Sequence, residues 1–173
     1  MQKKWYAVYT KPNQEKKVLA LLSKKKIENY CPLNKITTSE NEDKRKTFLE
    51  PLFPCYVFVH ISEHDIPLVK QLNGIINFVY WLGRPVNIKG IEMENIQEFV
   101  DSFSNISVEK TEVNLNNLVR IVSKKPINKD FENVISLHAT VVKITLPSLG
   151  YVLSANSAYE LNVLNQEAKF IGV

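Results

Sequence analysis

Few residues in this chain combine the types and the spacing that catalysis needs. Cys55 and His60 form one candidate nucleophile and base, and such a pair works only when the thiol and imidazole share a hydrogen bond. Strand alternation sends these two side chains to opposite faces. The three histidines, at positions 60, 64 and 138, have no cysteine or carboxylate at zinc-ligand spacing, and no glycine-rich phosphate loop occurs. We therefore predict a protein that is not an enzyme and that needs no metal or cofactor.

Residues 50–61 place three aromatic residues and two prolines on one short strand. Alternation along the strand sends two of the rings and a histidine to one face, and β-branched residues to the other: Tyr56, Phe58 and His60 against Val57, Val59 and Ile61. Large rings bury well only against a helix of the same chain or against a partner. A second strand of this kind, Trp5–Thr10, precedes a lysine-rich helix. This combination predicts a binding surface made of sheet and helix rather than an active-site cleft.

The net charge of +4 is unevenly distributed along the 173 residues. Residues 1–46 hold 12 Lys and Arg against 5 Asp and Glu, a balance of +7, whereas residues 47–110 hold 4 against 8, a balance of −4. A basic patch favours a polyanion such as nucleic acid, or an acidic protein surface. A lysine-rich surface that only keeps the protein soluble explains the same distribution, so charge alone leaves the two readings open.

The sequence shows no signal for a membrane or for an oxidising compartment. The uncharged run Gln71–Gly83 has 13 residues and the longest one, Ile144–Tyr159, has 16, and both are too short to cross a bilayer. The N-terminal residues lack the apolar core of a signal peptide. Cys31 and Cys55 form no CxxC motif and are predicted to be buried reduced thiols without a disulfide. We expect a cytoplasmic monomer that does not bind membranes.

Hydrophobic periodicity predicts an α+β fold followed by a small all-β unit. The first part reads as strand, helix, strand, strand, helix, strand and helix, at 4–10, 14–26, 28–36, 50–61, 62–73, 75–82 and 91–103. This order predicts a ferredoxin-like plait, with one antiparallel sheet and helices over one face. Short β-branched runs at 118–122, 139–146, 149–155 and 160–164 predict a small β-barrel. The predicted domains are 1–105 and 115–173, joined by a linker at 106–114.

Several of these segments resemble the NusG-type transcription elongation factors. The resemblance rests on Trp5–Thr10, on the basic helix after it and on Glu50–Val59, which are similar to the N-terminal (NGN) domain of that family. Three further runs resemble the specialised RfaH-like and UpxY-like branch: Tyr30–Lys35, Phe78–Gly83 and Leu146–Tyr151. The resemblance implies a KOW-type barrel for the second domain. Asn116-Asn117 and Glu132 or Asn133 depart from the glycine positions of that motif.

The resemblance implies an antiterminator that binds the clamp helices of the largest RNA polymerase subunit and suppresses pausing and termination. The implied docking surface is an aromatic hollow lined by Tyr9, Phe53, Tyr56, Phe58 and Trp81. Aromatic anchors dominate such interfaces, at roughly 2 kcal/mol or more each. Some of these rings could instead belong to the core. That alternative is stronger for Phe53 and Trp81 than for Tyr56 and Phe58, which share the face opposite the valines.

The resemblance also implies contacts to nucleic acid and to other partners. Lys11, Gln14, Lys17 and Asn73 match positions that touch non-template DNA in RfaH-like members, although a solvated helix face explains each of them equally well. The family's His-Thr-Thr contact to the second polymerase lobe is absent, because the region reads Asp65–Pro67. In relatives the barrel meets a ribosomal protein or Rho. UpxY resemblance further implies control of polysaccharide-synthesis operons.

Two alternatives of another class stay open from the residues. The plait and the run Tyr56–Val59 superficially resemble the aromatic strand of RRM domains, which bind RNA directly. That motif begins with Lys or Arg and Gly, whereas Phe53, Pro54 and Cys55 stand here. A ribosome-associated protein is the other alternative, since KOW barrels also occur there.

Overall fold

A computed structural model describes residues 2–39, 45–110, 134–138 and 141–156 of the chain. The barrel strands predicted at 118–122 and 160–164 lie outside the described residues, as do linker residues 111–114 and the four KOW positions at 116, 117, 132 and 133. None of the helices in the described ranges has the length and hydropathy needed to cross a bilayer.

The first part of the chain is built on one antiparallel sheet. Its strands are β1 (Lys4–Thr10), β2 (Glu28–Tyr30), β5 (Tyr56–Ile61), β6 (Ile75–Phe78) and β9 (Asn87–Ile88). The strand order is β2-β5-β1-β6, and the short β9 pairs with β1. A hairpin of β3 (Leu33–Ser39) and β4 (Arg45–Pro51) extends from it, and a smaller one joins β7 (Tyr80–Trp81) to β8 (Arg84–Pro85). The mixed α+β class with antiparallel sheets is as predicted. The predicted single strand at 28–36 is divided into β2 and β3, which pair in different sheets.

The two faces of the main sheet are covered by different helices. Helix α1 (Glu15–Lys24) and helix α2 (Ile66–Lys70) pack on the face of Val57 and Val59. Helix α3 (Gly90–Ser102) contributes Met93, Ile96 and Phe99 to the opposite face, where Phe58 lies. The prediction that all helices cover one face was therefore wrong. Periodicity identifies the apolar side of a helix but does not state which face of the sheet it covers.

The β3–β4 hairpin is fixed to the segment after α3 by a buried asparagine. Asn34 donates from Nδ2 to the Ile106 carbonyl at 2.8 Å and accepts from the Ile106 N–H at 3.0 Å. Asn105 adds two bonds: its N–H donates to the Lys35 carbonyl, and its Oδ1 accepts from the Thr37 N–H. Because both backbone groups of Ile106 are satisfied by one side chain, the hairpin base and the end of α3 keep a defined relative position.

The C-terminal strands form a four-stranded antiparallel sheet that packs on the first part of the chain. Its order is β10-β13-β12-β11, built from β10 (Ser107–Lys110), β11 (Val134–His138), β12 (Val141–Leu146) and β13 (Tyr151–Asn156). Residues 107–110, which fall inside the predicted linker, form β10 and pair with β13. Ile144, Leu146 and Leu153 are fully buried and belong to the same core cluster as Phe58 and α3. The second sheet therefore shares one hydrophobic core with the first.

Helix α1 ends with a lysine in a backbone conformation that favours glycine. Lys26 has φ +57°, its N–H donates to the Ser23 carbonyl, and the Ile27 N–H donates to the Leu22 carbonyl. This is the Schellman arrangement, in which glycine usually stands at the left-handed position. We expect Lys26→Gly to raise the free energy of unfolding by about 1 kcal/mol, because the strain of a side chain at positive φ is removed. Urea unfolding followed by circular dichroism measures this, and Lys25→Gly, at the helical neighbour, should be destabilising instead.

Candidate functional site

Four of the predicted docking residues come together at one end of β1 and β5. The antiparallel register sets Tyr9 opposite Tyr56, with their ring centroids 4.7 Å apart. The Tyr56 hydroxyl donates to the Tyr9 hydroxyl at 2.8 Å. Phe53, in the turn before β5, lies 6.3 Å from the Tyr56 ring and 5.9 Å from the Phe58 ring, edge-on to the latter. We call Tyr9, Phe53, Tyr56 and Phe58 the aromatic cluster.

The four rings differ sharply in what they expose. Tyr9 is 37% exposed and Tyr56 is half-buried, whereas Phe53 is 3% and Phe58 0% exposed. Phe58 therefore belongs to the core in this arrangement, contrary to its prediction as a contact residue. The alternation of β5 was predicted correctly, but its aromatic face is covered by α3 and the second sheet rather than left open. Tyr9 and Tyr56 are the members of the cluster that reach the surface.

Tyr151, the first residue of β13, covers the cluster from the second sheet. Its ring centroid lies 5.4 Å from that of Phe53 and 6.4 Å from that of Tyr56, and the two tyrosine hydroxyl oxygens are 3.4 Å apart. Burial, together with the hydrogen bonds that its hydroxyl makes with those of Tyr151 and Tyr9, raises the pKa of Tyr56 well above its usual range. The Tyr56 phenol is therefore a neutral donor at any physiological pH, and it joins the two parts of the chain.

A buried carboxylate makes a second connection between the two parts. Glu92, on α3, accepts from the Ser148 hydroxyl at 2.8 Å and from the Ser148 N–H at 3.2 Å. Burial raises the pKa of Glu92, and the bonds from Ser148 act in the opposite direction. The turn after β12 is thereby held on α3, next to the strand that begins with Tyr151. Sequence reasoning assigned no role to Glu92, Ser148 or Tyr151.

Trp81, the fifth predicted docking residue, lies on the β7–β8 hairpin rather than on β1 or β5. It ends β7, and the turn that follows has φ +48° at Leu82 and +76° at Gly83, as a type I′ hairpin turn requires. Trp81 is 73% exposed, and among the described residues no ring contact joins it to the cluster. With this exposure Trp81 is not a core residue, which leaves its predicted role in docking as a prediction. It is an exposed ring at a hairpin tip.

Three of the four candidate nucleic-acid contacts gather around Gly74. The Lys11 N–H donates to the Gly74 carbonyl at 2.8 Å, and Asn73 is the preceding, exposed residue. Gly74 has φ +95°, and a Cβ there would lie 2.9 Å from Oε1 of Gln14. The same Cβ would lie 2.8 Å from Cγ2 of Val18, so at this positive φ only glycine fits here. Lys17, also exposed, follows Gln14 by nearly one turn of α1. The fold thus gathers two lysines and two amides on one surface.

Both cysteines are free, and Cys31 is protected. Its Sγ lies 3.7 Å from the Tyr56 carbonyl oxygen, to which it can donate, and burial raises the pKa of the thiol to about 11. Within the described residues, no group of three or more His, Cys, Asp or Glu could hold a metal ion.

We expect Cys31 to react with iodoacetamide at least tenfold more slowly than an exposed cysteine. The raised pKa lowers the thiolate fraction at neutral pH by roughly 100-fold, and the higher nucleophilicity of a basic thiolate offsets part of that loss. The reaction is followed by mass spectrometry in Cys55→Ser, where Cys31 is the remaining thiol. Unfolding in urea should restore the ordinary rate. Equal rates in the folded and unfolded protein would contradict the burial.

Comparison with known proteins identifies the family. The family described as "Transcription termination factor nusG" matches residues 3–97. A solved structure titled "Domain interaction in Thermotoga maritima NusG" is similar with a TM-score of 0.50 and 21% identity, over 91% of this chain and 94% of that chain, and at this identity the likeness shows the fold alone. No curated protein matches the chain significantly. Since the family match spans more than half of the chain, this protein belongs to the NusG family of transcription factors.

Proposed function

We propose that this chain is an elongation factor that binds the clamp helices of RNA polymerase and suppresses pausing and termination. It would act as a specialised antiterminator of the RfaH-like and UpxY-like branch. The observation that carries the proposal is the aromatic cluster, where Tyr9 and Tyr56 reach the surface at the end of two paired strands. Aromatic rings with a polar end and a rigid backbone are typical anchors for a partner's helical tip. Trp81 is proposed as a separate anchor.

The second sheet is part of the proposed mechanism, since it covers half of the docking surface. Tyr151 packs on Phe53 and on one side of Tyr56, so a partner reaches Phe53 and the covered side of Tyr56 only after β13 moves away. The ring contacts and the Glu92–Ser148 bonds stabilise the covered arrangement. A ligand that binds only the uncovered state shifts the equilibrium by its own binding energy. The similar Thermotoga maritima structure is also titled as a domain interaction.

We expect Tyr151→Ala to bind RNA polymerase roughly five- to tenfold more tightly than the wild type. The truncation removes two ring contacts from the covered state, about 1 kcal/mol of interaction, and so increases the uncovered fraction. Biolayer interferometry with immobilised polymerase measures the affinity. Tyr151→Phe keeps the ring and loses only the long hydroxyl contact, so its affinity should stay close to that of the wild type. Unchanged or weaker binding by a folded Tyr151→Ala protein would contradict this mechanism.

We also propose that the surface around Gly74 contacts non-template DNA beside the docked polymerase. Lys11 and Lys17 would neutralise phosphates, while the Gln14 and Asn73 amides would bond to base edges. What supports this is that one backbone hydrogen bond, Lys11 N–H to Gly74 carbonyl, brings together candidates from two separate places in the chain. The operons are proposed to encode polysaccharide synthesis. The C-terminal residues are proposed to form a KOW-like barrel that meets a ribosomal protein or Rho.

The RNA-binding alternative is not favoured by the geometry. RRM domains stack RNA bases on aromatic rings of an open sheet surface. Here the corresponding face carries Phe58 at zero exposure, under α3 and the second sheet. Direct RNA binding through that face would need the core to open.

The experiment that tests the proposal is transcription by purified RNA polymerase through a terminator, with and without the protein, on templates with varied leader sequences. We expect more read-through and shorter pauses on at least one leader, together with retention of the protein by immobilised polymerase. If the protein neither binds polymerase nor changes read-through on any leader, the proposal is overturned. RNA binding without polymerase retention would support the RRM-like alternative.

A further inference from the structure

A basic depression lies at the far end of α1, away from Gly74. It has a volume of about 380 Å³ and is lined by three lysines, Lys3, Lys25 and Lys26, with Ile27 and Leu68 as its apolar part. All three lysines are exposed, and Leu68 is an exposed large apolar residue. The depression therefore combines cationic groups with an apolar surface.

The charged neighbours of these lysines are already paired with other groups. Glu63 bonds Lys4 at 3.1 Å, and Glu28 bonds His60, which also lines the depression, at 2.7 Å. Asp65, its one acidic lining residue, accepts from the Ser62 hydroxyl at 2.7 Å. In the described ranges, no ion pair involves Lys3, Lys25 or Lys26. The depression thus presents three lysines without an ion pair beside one carboxylate, that of Asp65, which is held in a helix cap.

The backbone at Lys26 adds an independent observation. A lysine occupies the left-handed position that ends α1, where glycine would relieve strain. Strained residues of this kind persist where the surrounding structure holds them, and they concentrate at ligand sites. The strain at Lys26 therefore points to a role for its side chain, which glycine would lack.

We propose that this depression binds a single-stranded nucleic acid, with backbone phosphates on Lys3, Lys25 and Lys26 and an unstacked base on Ile27 and Leu68. The volume is in the range of small-ligand sites and suits one nucleotide. A duplex keeps its bases stacked and offers none to an apolar surface, which favours a single strand. The 10 residues of α1 extend about 15 Å, so this site is distinct from the surface around Gly74.

The site is independent of the proposed polymerase docking and is tested without polymerase. The probe is a fluorescent 12-nucleotide thymidine strand, measured by anisotropy at several salt concentrations with the full chain. We expect Lys3→Gln/Lys25→Gln/Lys26→Gln to bind at least tenfold more weakly and to lower the salt slope by about 2, at roughly 0.7 for each phosphate contact. The control, Lys16→Gln/Lys70→Gln/Lys110→Gln, removes the same charge from exposed lysines elsewhere and should lose less than about threefold. Equal losses in the two variants would overturn the site.

Competition identifies the source of the phosphate. A free nucleoside triphosphate should displace the strand only at concentrations at least tenfold higher than unlabelled strand. Displacement at equal concentration would assign the depression to a free nucleotide and overturn the strand. Displacement by a glutamate peptide of equal charge would assign the depression to an acidic protein and would also overturn the proposed single strand. Tyr9→Ala/Tyr56→Ala should bind the strand like the wild type, so failure here and failure of polymerase docking are distinguishable.

Lys26→Gly separates a binding role from a structural one. We expect this variant to melt about 3 °C higher than the wild type and still to bind the strand several-fold more weakly. A side chain with only a structural role would not weaken binding while its removal raises stability. Unchanged affinity in the more stable variant would contradict the role of Lys26.

Discussion

Tyr9→Ala/Tyr56→Ala is expected to weaken RNA polymerase binding by at least 100-fold. Each ring is an aromatic anchor at the surface of the cluster, and truncation of such an anchor costs about 2 kcal/mol or more. Two such losses correspond to roughly 4 kcal/mol, of which non-additivity between touching rings removes a part. The rings are 4.7 Å apart and share a hydrogen bond, so they act as one unit.

Truncation of Tyr56 also loosens the cover formed by Tyr151, which acts in the opposite direction. Tyr56 loses its edge-on contact and a 3.4 Å hydroxyl contact with Tyr151. The looser cover favours polymerase binding by about 1 kcal/mol, which is less than the binding free energy lost when two aromatic anchors are truncated. The net effect on affinity is therefore a strong decrease.

The measurement is equilibrium binding to immobilised polymerase, and the matched control is Tyr9→Phe/Tyr56→Phe. The control keeps both rings and removes only the hydroxyls, so we expect its affinity within about threefold of the wild type. Circular dichroism establishes that each variant is folded. A folded alanine variant that binds as tightly as the phenylalanine variant would remove the aromatic cluster from the docking surface.

The faces of β5 were predictable because alternation is a local property of strands. Val57 and Val59 lie with α1 and α2, and Phe58 lies on the other side, as the sequence pattern indicates. His60, predicted on the aromatic side, stacks on Trp5 with ring centroids 4.9 Å apart. The pattern does not indicate which helix, sheet or partner covers each face. Phe58 was therefore assigned to a partner although α3 and the second sheet bury it.

The contacts of the second sheet could not be predicted for a different reason. Tyr151 meets Tyr56 across 95 residues, and no local signal reports such a contact. Strand β10 carries one half-buried residue, Val108, between exposed neighbours, so its pattern resembles a linker. It is a strand because β13 pairs with it, and pairing between distant segments is a property of the fold rather than of the segment.

The residues around Gly74 were predicted one by one, but their proximity on one surface was not. Lys11, Gln14 and Asn73 come from two places in the chain that the sequence does not join. A backbone hydrogen bond from Lys11 to Gly74 brings them together, and the missing Cβ of the glycine allows Gln14 to approach. The sequence identifies Gly74 as a turn residue, but it does not indicate that the Gly74 carbonyl accepts a hydrogen bond from Lys11.

Phe58→Ala is expected to lower the free energy of unfolding by about 3–5 kcal/mol, because it empties a ring-sized space in a core that cannot collapse around it. Phe58 is fully buried in a central strand, opposite Ala7 on β1 and edge-on to Phe53. The loss is a large fraction of the 5–15 kcal/mol that stabilises a typical domain. Urea unfolding followed by circular dichroism measures it.

The matched control is Phe48→Ala, the same chemical change at an exposed position of β4, which should alter stability by no more than about 0.5 kcal/mol. The contrast also decides how polymerase binding is interpreted. If Phe58→Ala binds poorly, the binding should recover at low temperature or in a stabilising osmolyte, because the defect lies in folding rather than in contact. A Phe58→Ala protein as stable as Phe48→Ala, yet unable to bind polymerase, would instead return Phe58 to the docking surface and show that the second sheet leaves it uncovered in solution.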